Sequence, residues 1–492
     1  MKAHCFKETI MTPVRLFRIC AIAVALLVST TSTLAGEPRR LTLAEAVQLA
    51  VQQNRGLKIS RLKVKENEYK KDAARSDYFP TITNQSNALH ITELQALNVP
   101  PGAFGTVSGV PIPAVNTNLQ QGKQTLYSSG TMIAQPLTQL LRIRQENRAA
   151  AADIRNARDE LKNSENEVAL AVHTLYYGIL VAQMQKSAAE QETSSASETL
   201  RENENDLTRG SALEVAVIQS RAELLQAQQS ALTAELQIED YTTELNDLLG
   251  LPLDTQLELV PEEISNLSVL SKAEYVRAAW DENPQIRSAQ ATIEKARAGV
   301  AAAKTAYIPD VTAYARHSYQ DGVPFLVRNF GTVGINLNYT VFDFGKRRAT
   351  VRERQTQLEE SEQNLEHLKE QVAVAVERSY NKLERTRSMV KVAAQAAKLR
   401  EESERLANNQ QQQGVVLISD VRHATAANYK AKADLLQANL TYLLAWAELE
   451  RTVGRTPGTE GTGAPRDPLV LKDKSEPERH GESIDKGRVF RW

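Results

Sequence analysis

The chain has 492 residues, of which 59 are basic and 60 are acidic, so its formal net charge is −1. A nucleic-acid-binding protein needs an excess of positive charge, and this balance argues against one. Only 42% of the residues are hydrophobic and 5% are aromatic. This composition is typical of long helices packed side by side and argues against several large compact domains.

The first 35 residues predict a secretory signal peptide. Two arginines precede an apolar run at residues 19–28, and a stretch of small residues ends at Ala35, where cleavage is expected. Either Met1 or Met11 can serve as the start without changing the mature protein. The protein is therefore expected to be exported from the cytoplasm.

Beyond the signal peptide the sequence contains two copies of one unit. A shift of 229 positions places Tyr78 on Tyr307, and a shift of 204 positions places Gly210 on Gly414. Because neighbouring residues coincide under the same shifts, the chain is predicted to consist of two similar halves. The shifts differ by 25 residues, which places an insertion before Gln135, and its proline- and glycine-rich stretch NVPPGAFGTVSGVPIP predicts a loop.

Each repeat is predicted to contain a helix, two strands that flank a loop, a long helix and a returning helix. The first repeat (36–250) has helix 42–77, strands 81–90 and 124–135, long helix 136–208 and returning helix 214–250. A linker (251–270) precedes the second repeat (271–454), with helix 271–306, strands 311–320 and 332–341, long helix 346–412 and returning helix 417–453. The remaining residues, 455–492, are rich in proline, glycine and charge and are expected to be disordered.

The strand at 332–341 alternates most clearly, with Val333, Ile335 and Leu337 separated by small or polar residues. A strand of about ten residues with one apolar face suits a tilted transmembrane β-strand. Four strands cannot close a barrel, and open edges in hydrocarbon leave backbone groups without hydrogen bonds, so other copies must complete the sheet. Three copies give twelve strands and a water-filled pore, whereas two give eight and a filled interior. A homotrimer in contact with membrane lipid is therefore favoured.

Short motifs stand at equivalent element boundaries of the two repeats. The first helices end in SDYFPTIT and TAYIPDVT, and the long helices are preceded by QPL and by VFDFGKRRA. In order, spacing and duplication, residues 41–454 resemble the TolC-like outer-membrane efflux proteins, also called outer membrane factors. The resemblance implies a mostly α-helical chain whose trimer forms a 12-stranded membrane β-barrel, continued by a long periplasmic α-helical tunnel.

The resemblance also implies a function. Such a protein is a passive channel-tunnel in the outer membrane of a Gram-negative-type cell, and it conducts substrates from the periplasm or an inner-membrane pump to the exterior. Its expected partners are a periplasmic adaptor (membrane fusion) protein and an inner-membrane transporter, in a tripartite efflux or type I secretion system. No cofactor is implied. The resemblance does not determine the substrate class, the particular pump and adaptor, or whether the resting channel is open or closed.

The two helical turns within residues 207–220 and 411–424 are the expected periplasmic tips. The resemblance implies adaptor docking at these turns, through Gly210, Ser211, Leu213, Gly414, Val415 and Leu417. Alternatively, the glycines simply end the helices and the apolar residues pack the turns. Asp420 matches an acidic position that rings the constriction in the family, but His423 stands where a second acidic residue is usual. The sequence therefore does not define the ion selectivity of this constriction. Alternatively, Asp420 and His423 lie on the helix surface and face solvent.

The segment before the second long helix contains Asp-Phe-Gly, three letters shared with a kinase metal-binding motif. Neither a catalytic-loop signature nor a glycine-rich phosphate loop accompanies it, so it is interpreted as a structural corner at the membrane boundary. Asp343 is expected to cap the helix and Gly345 to allow an unusual backbone conformation. The complete corner is Asp343, Phe344, Gly345, Lys346, Arg347 and Arg348, whose basic residues are expected to meet lipid headgroups or water.

Catalytic and metal sites are not predicted. Both cysteines, Cys5 and Cys20, fall in the signal peptide, and the seven histidines form no chelating pattern. Two other interpretations remain. An exported helical coiled-coil scaffold without a pore would need no detergent for extraction, and a secreted enzyme would need a convergent polar pocket, for which the sequence offers no candidate.

Overall fold

The computed structural model describes residues 39–120, 122–261, 269–323 and 326–457. The predicted signal peptide and residues 458–492 of the predicted tail lie outside the described residues. Within them the chain is mostly α-helical and the predicted order of elements occurs twice. The first repeat contains β1 (Arg39–Leu41), α1 (Leu43–Gln53), α2 (Arg55–Ser76), β2 (Thr81–His90), β3 (Ala96–Val99), β4 (Thr106–Val107), β5 (Val110–Pro111), β6 (Thr117–Gln120), β7 (Thr125–Pro136), α3 (Leu140–Thr208) and α4 (Glu214–Leu249).

The second repeat follows the same plan with fewer strands. It contains β8 (Leu257–Leu259), α5 (Lys272–Glu282), α6 (Pro284–Thr305), β9 (Asp310–Asp321), β10 (Asn329–Asn338), α7 (Lys346–Gln412) and α8 (Ile418–Val453). The bounds of α7 are those predicted from the sequence. The long helix α3 begins at Leu140 and not at residue 136, because β7 continues to Pro136.

The predicted continuous helices 42–77 and 271–306 are each broken in two, at Asn54 and at Asn283. Both asparagines have non-helical backbone angles, and their side chains accept hydrogen bonds from the first turn of the next helix. Each amide group also donates across the repeat, from Asn54 to the carbonyl of Leu248 and from Asn283 to that of Thr452, at 3.1 and 2.9 Å. Each break is therefore stabilised by a long-range hydrogen bond, whose partner cannot be inferred from local helix propensity.

Four further expectations need correction. The insertion in the first repeat is not only a loop, because β3 pairs with β6 and β4 with β5 as two small antiparallel ladders. The last strand spans Asn329–Asn338 and not 332–341. The predicted linker is not only a connection, because it contains β8, which pairs in parallel with β1. The predicted tail begins as ordered chain, because Arg455 forms a two-point ion pair with Glu282 at 2.7 and 3.0 Å.

The four predicted strands form one antiparallel sheet in the order β10-β9-β7-β2. The register aligns Ile82, Ile133, Ala315 and Val333 in one row across all four strands. The two outer strands, β2 and β10, each pair on one side only among the described residues. The sheet therefore ends in two open edges within a single chain.

The helices form two halves that share α3 and α7. Near the sheet, α3 packs on α2 and α6, and α6 packs on α7; near the two turns, α3 packs on α4 and α8, and α8 packs on α7. The helical order is thus α2-α3-α6-α7 towards the sheet and α4-α3-α8-α7 towards the turns. Two buried clusters hold the middle together, one containing Val47, Val172 and Leu245 and the other containing Val376 and Leu449.

The helix α3 contains an 18-residue stretch apolar enough to cross a membrane by length and composition alone, the one such stretch among the described helices. In this chain 44% of that stretch is buried. Val172, Tyr176 and Ile179 belong to the first core cluster, so the hydropathy of α3 is explained by packing against its neighbours.

His173 lies in the middle of α3 with 3% of its surface exposed. Neither ring nitrogen has an aligned hydrogen-bond partner among the described residues, and the ring meets Tyr177 edge-on at 5.7 Å. Burial lowers the pKa of His173 to about 4; the nearby backbone of Pro457 opposes part of this shift but is not aligned as an acceptor, so burial dominates. The imidazole is therefore neutral at physiological pH.

Acidification is expected to destabilise the protein through His173. Its pKa is depressed in the folded state, so the unfolded state binds the proton first, and stability is lost as the pH falls from about 6.5 towards 4. At pH 5 the loss is about 2 kcal/mol per chain. The His173→Leu variant should therefore show a smaller fall in thermal midpoint between pH 7.5 and pH 5 than the wild type. An unchanged fall would contradict this account, and His367→Gln, at an exposed position of α7, serves as the control.

Candidate functional site

The two helical turns are built alike. The long helices α3 and α7 are followed by Gly210 and Gly414, whose φ angles of +77° and +73° are left-handed. In the first turn, the backbone N–H of Ser211 donates to Asp206 O at 2.8 Å, and in the second, that of Val415 donates to Gln410 O at 2.9 Å. Both glycines thus end a helix in the left-handed backbone conformation, which is unfavourable for residues that have a Cβ atom. A cap and a docking point are compatible roles for these turns.

Apolar side chains project from both turns into solvent. Leu213 is 78% exposed, and Val415 and Leu417 are 69% and 64% exposed. Val215 and Ile218 continue the exposed apolar surface along the start of α4. Exposed leucine and valine side chains clustered at the end of a rod, as here, are typical of a surface that another protein covers.

Asp420 and His423 lie three residues apart in the first two turns of α8, and both are exposed in the single chain. The Asp420 carboxylate accepts a hydrogen bond from the backbone N–H of Leu417 at 3.1 Å. Its negative charge therefore caps the N-terminus of α8, where it interacts favourably with the helix dipole. Asp420 thus has a structural role in addition to any role in a pore.

The strand-to-helix corner is a compact hydrogen-bonded unit. Asp343 accepts from the backbone N–H groups of Gly345 and Arg347 at 3.1 and 3.0 Å, so the predicted cap is present. The N–H of Arg347 first, and then that of Gly345 and the guanidinium charge, hold the pKa of Asp343 below its usual value. Phe344 and Gly345 both adopt positive φ angles, of 52° and 90°, and this pair of residues turns the chain into α7.

Arg347 does not point into solvent as the sequence suggested for the basic residues of the corner. Its guanidinium pairs with Asp343 at 3.1 Å, donates to the carbonyl of Thr340 and to the hydroxyl of Tyr339, and lies 4.8 Å from the Tyr339 ring. Lys346 and Arg348, on either side of it, are exposed. The corner therefore uses one arginine internally and presents the other two basic residues outwards.

The exposed apolar side chains of the sheet are concentrated on one face, chiefly on β10, where they form an apolar band. On one face, Val333, Ile335 and Leu337 of β10 are 85%, 71% and 63% exposed, and Ile82 at the far edge of the same face is 70% exposed. On the other face Arg316 extends over the backbone of Gly130. An apolar band opposite a face with charged and polar side chains is what a strand between lipid and water requires.

Two glutamates near the turns were missed by the sequence analysis. Glu202 of α3 accepts a hydrogen bond from the backbone N–H of Ser419 at 3.2 Å and so joins the two repeats next to the second turn. Glu404 of α7 accepts from the Thr425 hydroxyl at 2.8 Å and from the Asn428 side chain. Both glutamates lie in charged helical segments, where no sequence signal separates them from solvent-facing carboxylates.

No group of three or more histidine, cysteine, aspartate or glutamate side chains with metal-binding geometry occurs in the part of the chain that the structure describes. The candidate surfaces described above are the two turns, the corner and the sheet.

Comparison with known proteins concerns the chain as a whole. Residues 46–251 and 276–455 match the family model described as outer membrane efflux protein. The chain is 24% identical over 306 residues to the alkaline protease secretion protein AprF of Pseudomonas aeruginosa, covering 60% of this chain and 63% of AprF. It is 28% identical over 209 residues to protein CyaE of Bordetella pertussis, covering 42% and 44%. The chain thus spans less than two thirds of the length of either relative.

The fold resembles that of solved outer-membrane channels. The Campylobacter jejuni CmeC outer membrane channel superposes with a TM-score of 0.68 at 15% identity, over 84% of this chain and 85% of CmeC. That likeness shows a shared fold, and the family match covers both repeats. From its sequence and its fold, the chain belongs to the outer membrane efflux protein family.

Proposed function

We propose that three copies of this chain form a passive channel-tunnel across the outer membrane and into the periplasm. The observation that carries this proposal is the four-stranded sheet with an exposed apolar band and two open edges, β2 and β10. Backbone groups at an open edge are costly in hydrocarbon, so further strands must pair with them. Three such sheets supply twelve strands, enough for a water-filled lumen.

The helices extend the pore beyond the membrane. The helix α3 has 69 residues and α7 has 67, and at 1.5 Å per residue each is about 100 Å long. A soluble scaffold without a pore has no use for the exposed apolar band, which disfavours that alternative. The proposal assigns no reaction to the chain, in keeping with a family described by efflux.

The expected partners are a periplasmic adaptor and an inner-membrane transporter. The exposed apolar residues of the turns, Leu213, Val415 and Leu417, support a docking role at the periplasmic end. The relative AprF is named for alkaline protease secretion, whereas the family is described by efflux. The proposal therefore covers export through the outer membrane, by either a tripartite efflux or a type I secretion system.

Asp420 and His423 are proposed to face the lumen near the turns. Both are exposed, and the Asp420 carboxylate is fixed by its bond to Leu417 N. In a threefold assembly each residue would recur as a ring, and the three carboxylates would concentrate negative potential at the narrow end. Lys346 and Arg348 are proposed to meet headgroups or water at the opposite end of α7.

Docking at the turns can be tested by placing a photoreactive amino acid at Leu417 in cells. Because Leu417 is exposed at the tip, we expect cross-links to a periplasmic protein with a helical hairpin, identified by mass spectrometry. Tyr69, which is 71% exposed on α2 near the sheet, is the matched control. Equal cross-linking of the same protein from Tyr69 and Leu417 would contradict docking at the turns.

The channel function is tested by reconstitution into a planar lipid bilayer. A water-filled pore predicts stepwise current, with every step due to one inserted trimer. A purified protein that inserts into the bilayer without conducting under either voltage polarity would argue for a scaffold and against a channel.

A further inference from the structure

Arg316 lies in the middle of β9, on the side of the sheet opposite the apolar band. It pairs in register with Met132 of β7 and with Thr332 of β10. Its neighbour Ala315 belongs instead to the row that contains Val333 of the band. Because successive residues of a strand point to opposite sides, we call the side with Arg316, Met132 and Thr332 the inner face. An arginine at mid-strand is strongly unfavourable against hydrocarbon, so its own chemistry supports the assignment of this face to water.

Arg316 and Asp310 are the charged residues of the inner face within the four strands. Asp310 is the first residue of β9, six positions from Arg316, which at about 3.4 Å per residue is roughly 20 Å along the strand. That separation exceeds the Debye length of about 10 Å at 0.1 M salt, so Asp310 does little to offset the charge of the arginine. At the depth of Arg316, the inner face therefore carries positive charge alone.

The guanidinium of Arg316 has no carboxylate partner among the residues that the structure describes. The acidic residue at the other end of β9, Asp321, lies on the opposite face and is already paired with Lys123 at 3.0 Å and with Arg328 at 3.3 Å. Arg316 is also exposed in the single chain. An unpaired, exposed guanidinium attracts anions and offers them several N–H donors in a planar fork.

Two glycines on the inner face make room for the two largest side chains that β9 places there. A Cβ atom on Gly130 of β7 would lie 2.9 Å from Nη2 and 3.0 Å from Nε of Arg316, so the guanidinium occupies the space that a side chain would fill. A Cβ atom on Gly334 of β10 would lie 2.9 Å from the hydroxyl oxygen of Tyr314. Both β9 side chains therefore lie along a neighbouring strand, and the charge of Arg316 is held on the surface of the inner face.

We propose that the three Arg316 guanidinium groups of a trimer form a ring inside the barrel that attracts small anions and binds multivalent ones, including anionic groups of exported substrates. The inference rests on the proposed channel and gives it an anion site. Threefold symmetry places the three groups at one depth, where no acidic residue of the inner face opposes them. Rings of arginine or lysine side chains select anions in pores. The sign of this ring is opposite to that of the three Asp420 carboxylates proposed for the periplasmic end.

The ring is tested by the ion selectivity of the full-length protein in a planar bilayer, measured as the reversal potential in a KCl gradient. At about 0.1 M KCl, Arg316→Gln should lower the permeability ratio of Cl⁻ to K⁺ by about twofold or more, because the ring no longer concentrates anions in the barrel. Near 1 M KCl the Debye length is about 3 Å, so the same substitution should have a smaller effect on the ratio.

Two further variants separate the effect of charge from an effect on structure. Arg316→Gln combined with Thr332→Arg returns the positive charge to the same row of the inner face and should restore the wild-type permeability ratio. Arg328→Gln also removes one positive charge, but Arg328 lies before β10, outside the strands, and is paired with Asp321. This control should therefore keep a ratio close to that of the wild type.

Binding at the ring is tested with inorganic triphosphate, whose oxygens accept hydrogen bonds from guanidinium groups. When triphosphate is added to both compartments, it should reduce the wild-type current at concentrations about tenfold lower than those needed for Arg316→Gln. Equal inhibition of the two proteins would overturn anion binding at Arg316.

The selectivity results separate this proposal from the channel function. An unchanged ratio in Arg316→Gln, or an equal fall in Arg328→Gln, would overturn the ring and leave the channel standing, since current would still flow. A fall in Arg316→Gln that Thr332→Arg does not reverse would indicate an altered barrel and would also overturn the ring. Absence of any current from the wild type would overturn the channel and the ring together.

Discussion

Replacing Gly454 with alanine is expected to destabilise the protein by about 3 kcal/mol per chain, because the new methyl group meets backbone on two sides. Gly454 ends α8 with a φ of +114°, and an added Cβ would lie 2.6 Å from the carbonyl oxygen of Glu282 and 2.7 Å from the Cα of Asn283. Neither neighbour can move easily, since Asn283 is tied to Thr452 by its side chain.

The matched control is Gly414→Ala. Gly414 also has a positive φ, of +73°, but nothing lies within 4 Å of the position of its Cβ. This variant should carry only the backbone strain, about 1 kcal/mol. The measurement is the thermal midpoint of unfolding of each variant in detergent, and Gly454→Ala should have the lower midpoint. Equal midpoints would mean that the end of α8 is not closely packed against the break between α5 and α6.

A positive charge in the apolar band is expected to block assembly in the membrane. Val333 lies in the middle of β10, is 85% exposed and faces the same side as Ile335 and Leu337. In a bilayer, Val333→Arg would place an arginine against hydrocarbon at a cost of about 2–4 kcal/mol per copy, three times in a trimer. The expected result is a large loss of trimer from outer-membrane fractions.

Asn336→Arg provides the comparison on the opposite face of the same strand. That face would line the water-filled lumen, so the same charge should be tolerated and trimer yield should stay close to that of the wild type. The readout is the amount of heat-dissociable trimer on gels of membrane fractions. If Asn336→Arg lost as much trimer as Val333→Arg, or more, the two faces of the sheet would have to be reassigned.

Periodicity predicted the elements that it governs directly. The period of two at Val333, Ile335 and Leu337 indicated a strand with one apolar face, and those side chains share a face of the sheet. The bounds of α7 followed from the absence of proline and glycine between Gly345 and Gly414. Because the repeat aligns the two halves, the clearer copy of each element located the weaker one.

The errors occur where distant contacts decide the local structure. The break at Asn283 has a local signal in Pro284, which stands at the start of α6, whereas Asn54 has no proline after it and its side chain donates a hydrogen bond to Leu248 O. Arg455 and Thr456 were assigned to a disordered tail by composition, yet Arg455 binds Glu282, and the Thr456 hydroxyl bonds to Asn166 at 2.6 Å. The amino-acid composition of a segment gives no information about such distant hydrogen-bond partners.

The candidate surfaces were predictable to different degrees. The cap formed by Asp343 follows from the residue type and its position before a helix, and the structure contains it. The internal role of Arg347 depends on Tyr339 across the corner and could not be read from GKRR. The assignment of adaptor docking to the turns stays a prediction, since a single chain displays exposed leucines without the protein that covers them.

The most direct test of the channel account is the native mass of the protein. The protein should require detergent for extraction from outer membranes, and light scattering corrected for bound detergent should give three chains per particle. A trimer is the result that the twelve-stranded pore requires. A water-soluble monomer would contradict the lipid-facing band, the shared barrel and the channel function together.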